Sequence, residues 1–431
     1  MRHTLLLLLA ACVVAAQSPD EDFHVYRDAP RLLLTTQRQR LLERERERNS
    51  PRWQAFDGWI QSGAPVPEPG FAWGLHYRIT HQNASGRKAI EWALANDDLR
   101  QLALVYDWCL PLLTPSEADR LVAKLKAGLA KPGTTLPEQS ARAFAAIALA
   151  DALPDAGDAA LRDLVSWWRK QPPASREDLG PLMEFLHAVR DNTKVDLRQS
   201  RADYFTNLPL EYIASFYPSP FPGPDNDYRI PIYTGSGEPN LDAAARARAA
   251  GLAMAALDTN AVNYQFAQGL LMNDRFMLRG PLGAPYEFLW ANPYQPGLAY
   301  QTLPLVFHDA TTGHLFARTS WEEDATWLGF VDGALQLFRG DSVQTLRPGT
   351  PIAPIKVGDA VLTRPTDPAS VHVHLDAGML IVLGLKPNSE YGVEIDDREL
   401  DFVTTDSAGT LVVTAGEETD AGVWIRPHGV N

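Results

Sequence analysis

The sequence predicts an all-helical array followed by an antiparallel β-sandwich, and three observations lead there. Between residues 31 and 273 apolar side chains recur at helical spacing, segment after segment, with short polar turns between them. Near Gly280 the composition shifts to a stretch dense in Pro and aromatic residues, with Pro281, Pro285, Pro293, Pro296 and Pro304 beside Tyr286, Trp290, Tyr294 and Tyr300. Beyond it the apolar period becomes two, the spacing of a strand with one face buried.

The N-terminus comes first. Arg2 and His3 supply a basic start, residues 5–14 are apolar, and Val14-Ala15-Ala16 is a small-x-small pattern. Residues 1–16 are therefore expected to be a signal peptide, with Gln17 as the new terminus. The apolar run is shorter than the ~20 residues of a permanent membrane helix. Leu9-Ala10-Ala11-Cys12 offers a competing reading, a lipoprotein box that lipidates Cys12. Either way the protein is expected to be periplasmic or secreted. Cleavage after Ala16 leaves Cys109 as the one thiol, so packing rather than a disulfide holds the fold. Cys109 sits in an apolar run and reads as a buried small hydrophobe.

Helices are expected at 35–48, from Ser50-Pro51 onward, and at 70–79, 84–94 and 99–113. Thr114-Pro115-Ser116-Glu117 is a capping box with proline in the first turn, so a further helix starts there. Others follow at 137–153, 158–170, 176–190, 197–216, 241–257 and 261–272. The helical domain spans 30–275, a Pro/Tyr-rich linker 276–310, and the β domain 311–431. Its first hairpin pairs 315–321 with 325–331 across Glu322-Glu323-Asp324. More strands are expected at 335–338, 360–363, 371–375, 379–383, 391–395, 400–404, 410–414 and 423–426.

At 431 residues and a formal net charge of −14, the chain has room for two cores and no long Lys/Arg cluster, which excludes nucleic acid as a partner. An acidic polysaccharide stays compatible, because a local basic cleft can sit in an acidic protein.

Four segments, in order, resemble the heparinase II/III-like polysaccharide lyases, a superfamily that includes oligoalginate lyases. They are Pro30-Arg31-Leu32-Leu33-Leu34-Thr35, Leu102-Ala103-Leu104-Val105-Tyr106-Asp107-Trp108, Asp225-Asn226-Asp227-Tyr228-Arg229, and Phe316-Ala317-Arg318-Thr319-Ser320-Trp321 with Asp324-Ala325-Thr326-Trp327-Leu328. The resemblance implies an α/α toroid, an incomplete barrel of helix pairs, packed against a β-sandwich. It also implies a cleft for acidic polysaccharide or oligosaccharide between the two. Tyr106 and Asp107 belong to the family's structural framework. The chain departs from the family in its catalytic side chains. The family presents Asn or His and Tyr from toroid helices, yet His187 is the only imidazole in 137–153 and 176–190. The family's His-x-His-x-Asp-x-Gly follows the first hairpin, whereas 331–341 contains no His. A literal match comes later, at His372-Val373-His374-Leu375-Asp376-Ala377-Gly378.

Uronate elimination needs a neutraliser for the sugar carboxylate, a base for the C5 proton and an acid for the C4 oxygen. His372, His374 and Asp376, at i, i+2 and i+4, share one strand face. By resemblance His372 is the catalytic imidazole, with His374 and Asp376 as ligands of a structural divalent metal; no cofactor is required. Alternation with Val371, Val373 and Leu375 describes a solvent face equally well. Tyr228 and Arg229 lie in a loop as candidate catalytic residues, where an Arg can grip a carboxylate with two nitrogens; a loop anchored by a tyrosine ring beside a surface arginine fits the same residues equally well. Trp73, Tyr77 and His81 recur at i, i+4 and i+8, as either a sugar-stacking stripe or a helix-packing one. The expected function is an exported lyase-like protein performing β-elimination on uronate glycans of glycosaminoglycan or alginate type. The alternatives are a non-catalytic glycan-binding member of the same fold and a surface scaffold that docks protein.

Overall fold

The computed structural model describes residues 22–428 apart from 173, 234–236, 348, 377, 397–399 and 415–420. The expected signal segment and Cys12 lie outside the described residues.

Side-chain caps set the first helices. Thr35 accepts from the Arg38 amide to open α1 (Thr36–Glu47), and Ser50 from the Trp53 amide to open α2 (Pro51–Ser62). After α3 (Pro69–Thr80) and α4 (Asn83–Ala95), Asp98 caps α5 (Leu99–Cys109). The expected capping box at Thr114 and Glu117 opens α6 (Pro115–Ala130). A second box, formed by Thr135 and Glu138, opens α7 (Leu136–Ala148). Then come α8 (Pro154–Trp168), α9 (Leu179–Asn192), α10 (Ala202–Ala214), α11 (Leu241–Ala255), α12 (Val262–Leu271) and α13 (Gly283–Trp290).

Their contacts run in a circuit. Helix α3 packs on α5, α5 on α7, α7 on α9, α9 on α11 and α11 on α13; α13 then meets α2, and α2 meets α3. Helices α4, α6 and α8 pack against members of this circuit, as do α10 and α12 on α11. One apolar core runs through all of it, from Leu32 to Trp290.

Two expectations are corrected within this region. The segment 276–310 is not merely a linker, because it contains α13, with Phe288, Leu289 and Trp290 buried in the helical core. Pro285 falls in that helix's first turn, where a missing N–H costs nothing. The stretch 197–216 begins as a 3₁₀ turn at Leu197–Arg201 before α10. Between α10 and α11 a two-stranded antiparallel ribbon pairs β1 (Phe221–Pro222) with β2 (Asp227–Tyr228).

The β region is layered three deep. The first sheet is an antiparallel meander of β3 (Val306–Asp309), β4 (His314–Arg318), β5 (Trp327–Val331), β6 (Ala334–Arg339) and β7 (Ser342–Leu346). The predicted hairpin is present, with Leu315 opposite Phe330. The second sheet joins β8 (Ile352–Val357), β9 (Ala360–Arg364), β11 (Met379–Val382) and β14 (Leu411–Thr414); its β9–β11 pair is parallel, against the all-antiparallel expectation. The third has the order β10 (Val371–Leu375), β15 (Ala421–Pro427), β12 (Glu390–Ile395), β13 (Asp401–Thr404).

Three apolar clusters fix the stacking. Phe316, Trp327 and Phe338 of the first sheet pack on Ala214, Tyr217, Ala244 and Ala245 from the helical side. Its other face, with Leu315, Leu328 and Phe330, packs on Leu362 and Ile381 of the second sheet. The second sheet turns Val361, Leu380 and Val382 toward Val373, Val393 and Val423 of the third. A two-layer sandwich is thus replaced by three layers, with the first two sheets standing between the third and the helices.

Strands β3, β7 and β8 escaped the sequence reading. Most of β7 is exposed and therefore carries no alternation, and β8 is an edge strand interrupted by Pro354 and a register shift.

Candidate functional site

The segments that carry the family resemblance meet in pairs, the first with the second and the third with the fourth, and they build architecture. The Asp107 carboxylate accepts from the amides of Arg31 (2.8 Å) and Leu32 (2.9 Å), and the Trp108 indole donates to the Leu32 carbonyl (2.9 Å). Arg318 and the Trp327 indole both donate to the Ala214 carbonyl at the C-terminus of α10, tying the β region to the helices. Cys109 is fully buried, and burial pushes its thiol up to about 12, so it is an inert core residue.

The His-x-His-x-Asp motif lands on the outermost strand layer. Val371, Val373 and Leu375 point inward, and His372 and His374 lie on the exposed face. His372 stacks on Trp424 with ring centroids 4.5 Å apart. Of the two readings of this strand, the solvent-facing one describes His372 and His374, and the first two sheets stand between them and the helices. Asp376 pairs with Lys356 at 3.2 Å. Among the described residues no group of three or more His, Cys, Asp or Glu side chains is placed to hold a metal ion.

Tyr228 and Arg229 sit over α11 but are engaged internally. The Tyr228 hydroxyl donates to Asp225 (2.9 Å), and burial, reinforced by Asp225, raises its pKa. Arg229 lies over the Phe276 ring (4.2 Å) and donates to the Tyr300 hydroxyl (3.2 Å). The stripe on α3 also splits. Tyr77 is buried in the helical core, Trp73 is half-buried beneath Lys88 (4.1 Å), and His81 is an exposed, left-handed C-cap. That face packs on α4 rather than forming an open platform. The neighbouring His76 is enclosed between Ser85 (2.8 Å) and Asp57 (2.9 Å).

His187 is a core histidine. Its Nε2 lies 2.8 Å from the Ala253 carbonyl, a contact that requires an N–H, while Nδ1 receives Arg190 at 3.2 Å. Burial holds it at about 4, against an ordinary value of 6.5. The fold therefore favours the neutral ring. Stability from this site is complete above pH 6.5 and falls as pH drops toward 4, by about 3 kcal/mol. Denaturation midpoints of the wild type and His187→Gln, compared from pH 7 to 4, should diverge by that component. Parallel curves would contradict it. The comparison cancels Asp107, which burial pushes up to about 6 and which acts in the opposite sense.

Three clusters lay outside the sequence reading. Arg100 at the start of α5 grips Glu184 of α9 through two nitrogens (2.7 and 2.6 Å), Glu68 before α3 (3.1 Å) and Tyr286 of α13 (3.0 Å). It ties α5, α9 and α13 to the residue that precedes α3. At the seam between the helices and the first sheet, Glu211 of α10 holds Nδ1 of His314 on β4 at 2.7 Å, with Asp332 3.7 Å from Nε2. Arg176 belongs to the same electrostatic cluster and keeps a buried Nη1 with no hydrogen-bond partner among the described residues. The third is an open groove of about 480 Å³ along α2, bounded by Gln54, Gly58, Trp59, Ser62 and Arg279. The Trp59 indole donates to the Arg279 carbonyl (2.6 Å), which fixes the ring beside that arginine. No hydrogen bond or ion pair reaches the Arg279 guanidinium from the described residues.

The stretch where the resemblance would put the family's histidines, 331–341, holds the end of β5, a two-residue turn and β6. Asp332 (φ 50°) and Gly333 (φ 77°) close the β5–β6 hairpin, and both take the left-handed backbone that such a tight turn needs. No protein-family model matches this chain, and no curated protein matches it. Among the described residues, no helix is long and apolar enough to cross a membrane.

Proposed function

We propose that this is an exported glycan-binding protein in which the helical circuit is an α/α toroid of the heparinase-like kind, and that it holds uronate-bearing glycans without cleaving them. The observation that carries the reading is the Trp59–Arg279 groove. An aromatic face takes the C–H face of a pyranose, and a guanidinium with no internal partner takes a carboxylate through paired hydrogen bonds. The absence of His from 331–341 and the outward-facing His372 argue against elimination by the family's histidine pair. Affinity electrophoresis through gels loaded with alginate, a glycosaminoglycan or a neutral glucan tests it. Retardation by the acidic polymers alone is expected, and equal migration in all three would refute it. His372→Ala should leave the groove's affinity unchanged.

Elimination is the second reading, and one observation favours it. The Glu211–His314 pair beside Arg176 supplies an oriented imidazole and an unsatisfied cation at the domain seam. Release of unsaturated uronate that His314→Ala abolishes and His372→Ala does not would put this reading first.

A further inference from the structure

The outer face of the third sheet has a construction that the groove does not explain. Strand register places His372, Trp424 and Glu394 side by side across β10, β15 and β12. One row along, Arg426, Gly392 and Phe402 are neighbours. The His372 and Trp424 rings are stacked 4.5 Å apart and 12° from parallel. A Cβ at Gly422 would meet the Trp424 ring at 2.7 Å, so the indole lies down over its own strand instead of standing off it. Two of the most exposed apolar side chains among the described residues, Phe402 at 50% and Leu400 at 52%, border the same surface. No partner among the described residues reaches the Arg426 guanidinium or the Glu394 carboxylate.

We infer that this face is a second saccharide-binding surface, on which a uronate ring lies against the His372–Trp424 pair and Arg426 takes its carboxylate. The chemistry selects a sugar over a protein partner. A protein interface of useful affinity buries a contiguous apolar centre, whereas here Gly392 and Arg426 set Phe402 apart from the stacked His372–Trp424 pair. That alternation of flat ring and hydrogen-bonding group suits an amphipathic pyranose. Unpaired Arg426 complements a carboxylate, and Glu394 accepts from hydroxyls. The preference for uronates rests on the acidic-glycan reading above; the site itself does not.

Calorimetry of the full chain with an alginate hexasaccharide decides the matter. The wild type is expected to take two hexasaccharides per chain. Trp424→Ala and Arg426→Glu should each weaken one site by about tenfold or more and leave the other unchanged. Arg279→Ala should do the reverse. Arg426→Glu alters an exposed position and keeps the test standing if Trp424→Ala fails to fold. A single site lost in Trp424→Ala but retained in Arg279→Ala would uphold this face and sink the groove. The inference is overturned if both β15 variants bind like the wild type, or if the wild type takes one hexasaccharide that Arg279→Ala abolishes. It is equally overturned if Trp424→Ala instead removes a self-association seen in ultracentrifugation.

Discussion

Glu287→Ala is expected to destabilise the protein by about 3–5 kcal/mol, the largest effect of any single change considered. Glu287 is fully buried in α13 and sits between two arginines. Arg52 of α2 reaches it at 3.3 Å, and Arg248 of α11 reaches it at 2.9 and 3.1 Å. Both arginines are buried as well. Removing the carboxylate leaves two desolvated cations facing each other, with Asp274 the one remaining carboxylate on Arg52 among the described residues (3.1 Å) and the Leu271 carbonyl on Arg248 (2.7 Å). Breaking a buried pair from one side costs far more than the intact pair contributes. Because α13 joins α11 to α2, the loss falls on the closure of the helical circuit. Urea denaturation followed by far-ultraviolet circular dichroism measures it. A loss below about 1 kcal/mol would show that the network is peripheral to closure.

The second large effect concerns ligand. Arg279→Ala is expected to weaken binding of an oligouronate in the α2 groove by about tenfold or more, the typical weight of a charge-assisted hydrogen bond. Trp59→Ala should produce a similar loss with a different signature. It should weaken neutral and acidic sugars alike, because stacking does not read the carboxylate, whereas Arg279→Ala should spare the neutral ones. Raising the salt concentration should diminish the arginine's contribution and leave the tryptophan's largely intact. Among the described residues Arg279 anchors no other side chain through its guanidinium, so Arg279→Ala should keep the wild-type melting temperature. That separates a binding role from a structural one.

The helices were legible because their caps and spacing are local. Ser50-Pro51 and Thr114 through Glu117 state where a helix starts, and the starts fall there. Helix α13 was not legible. Its prolines signal a linker, and only the buried contact of Glu287 with two distant arginines reveals a helix that belongs to the core. The third β layer was hidden for a similar reason. Strands β5 and β9 are buried along their whole length. They therefore read as plain apolar runs, and such runs do not say whether one sheet or two cover them.

Among candidate residues, alternation correctly placed His372 and His374 on one strand face but could not tell which face looks at the helices. Two stacked sheets, invisible in a motif, decide that. Tyr228 and Arg229 were picked as a loop pair, and the structure spends them on Asp225, Phe276 and Tyr300. Trp59 and Arg279 were missed because 220 residues separate them. Neither belongs to a motif, and only the return of the chain past α2 makes them neighbours. Glu211 and His314, 103 residues apart, were missed for the same reason.

The central claim is that the protein binds uronate glycans and leaves them intact. It is tested most directly by titrating the purified chain with alginate oligosaccharides to saturation while the absorbance of unsaturated uronate is followed in the same cell. Saturable binding is expected, with the groove's site lost in Arg279→Ala and the β15 site retained, and with flat absorbance throughout. Rising absorbance, or no saturation at any oligosaccharide concentration, would contradict it.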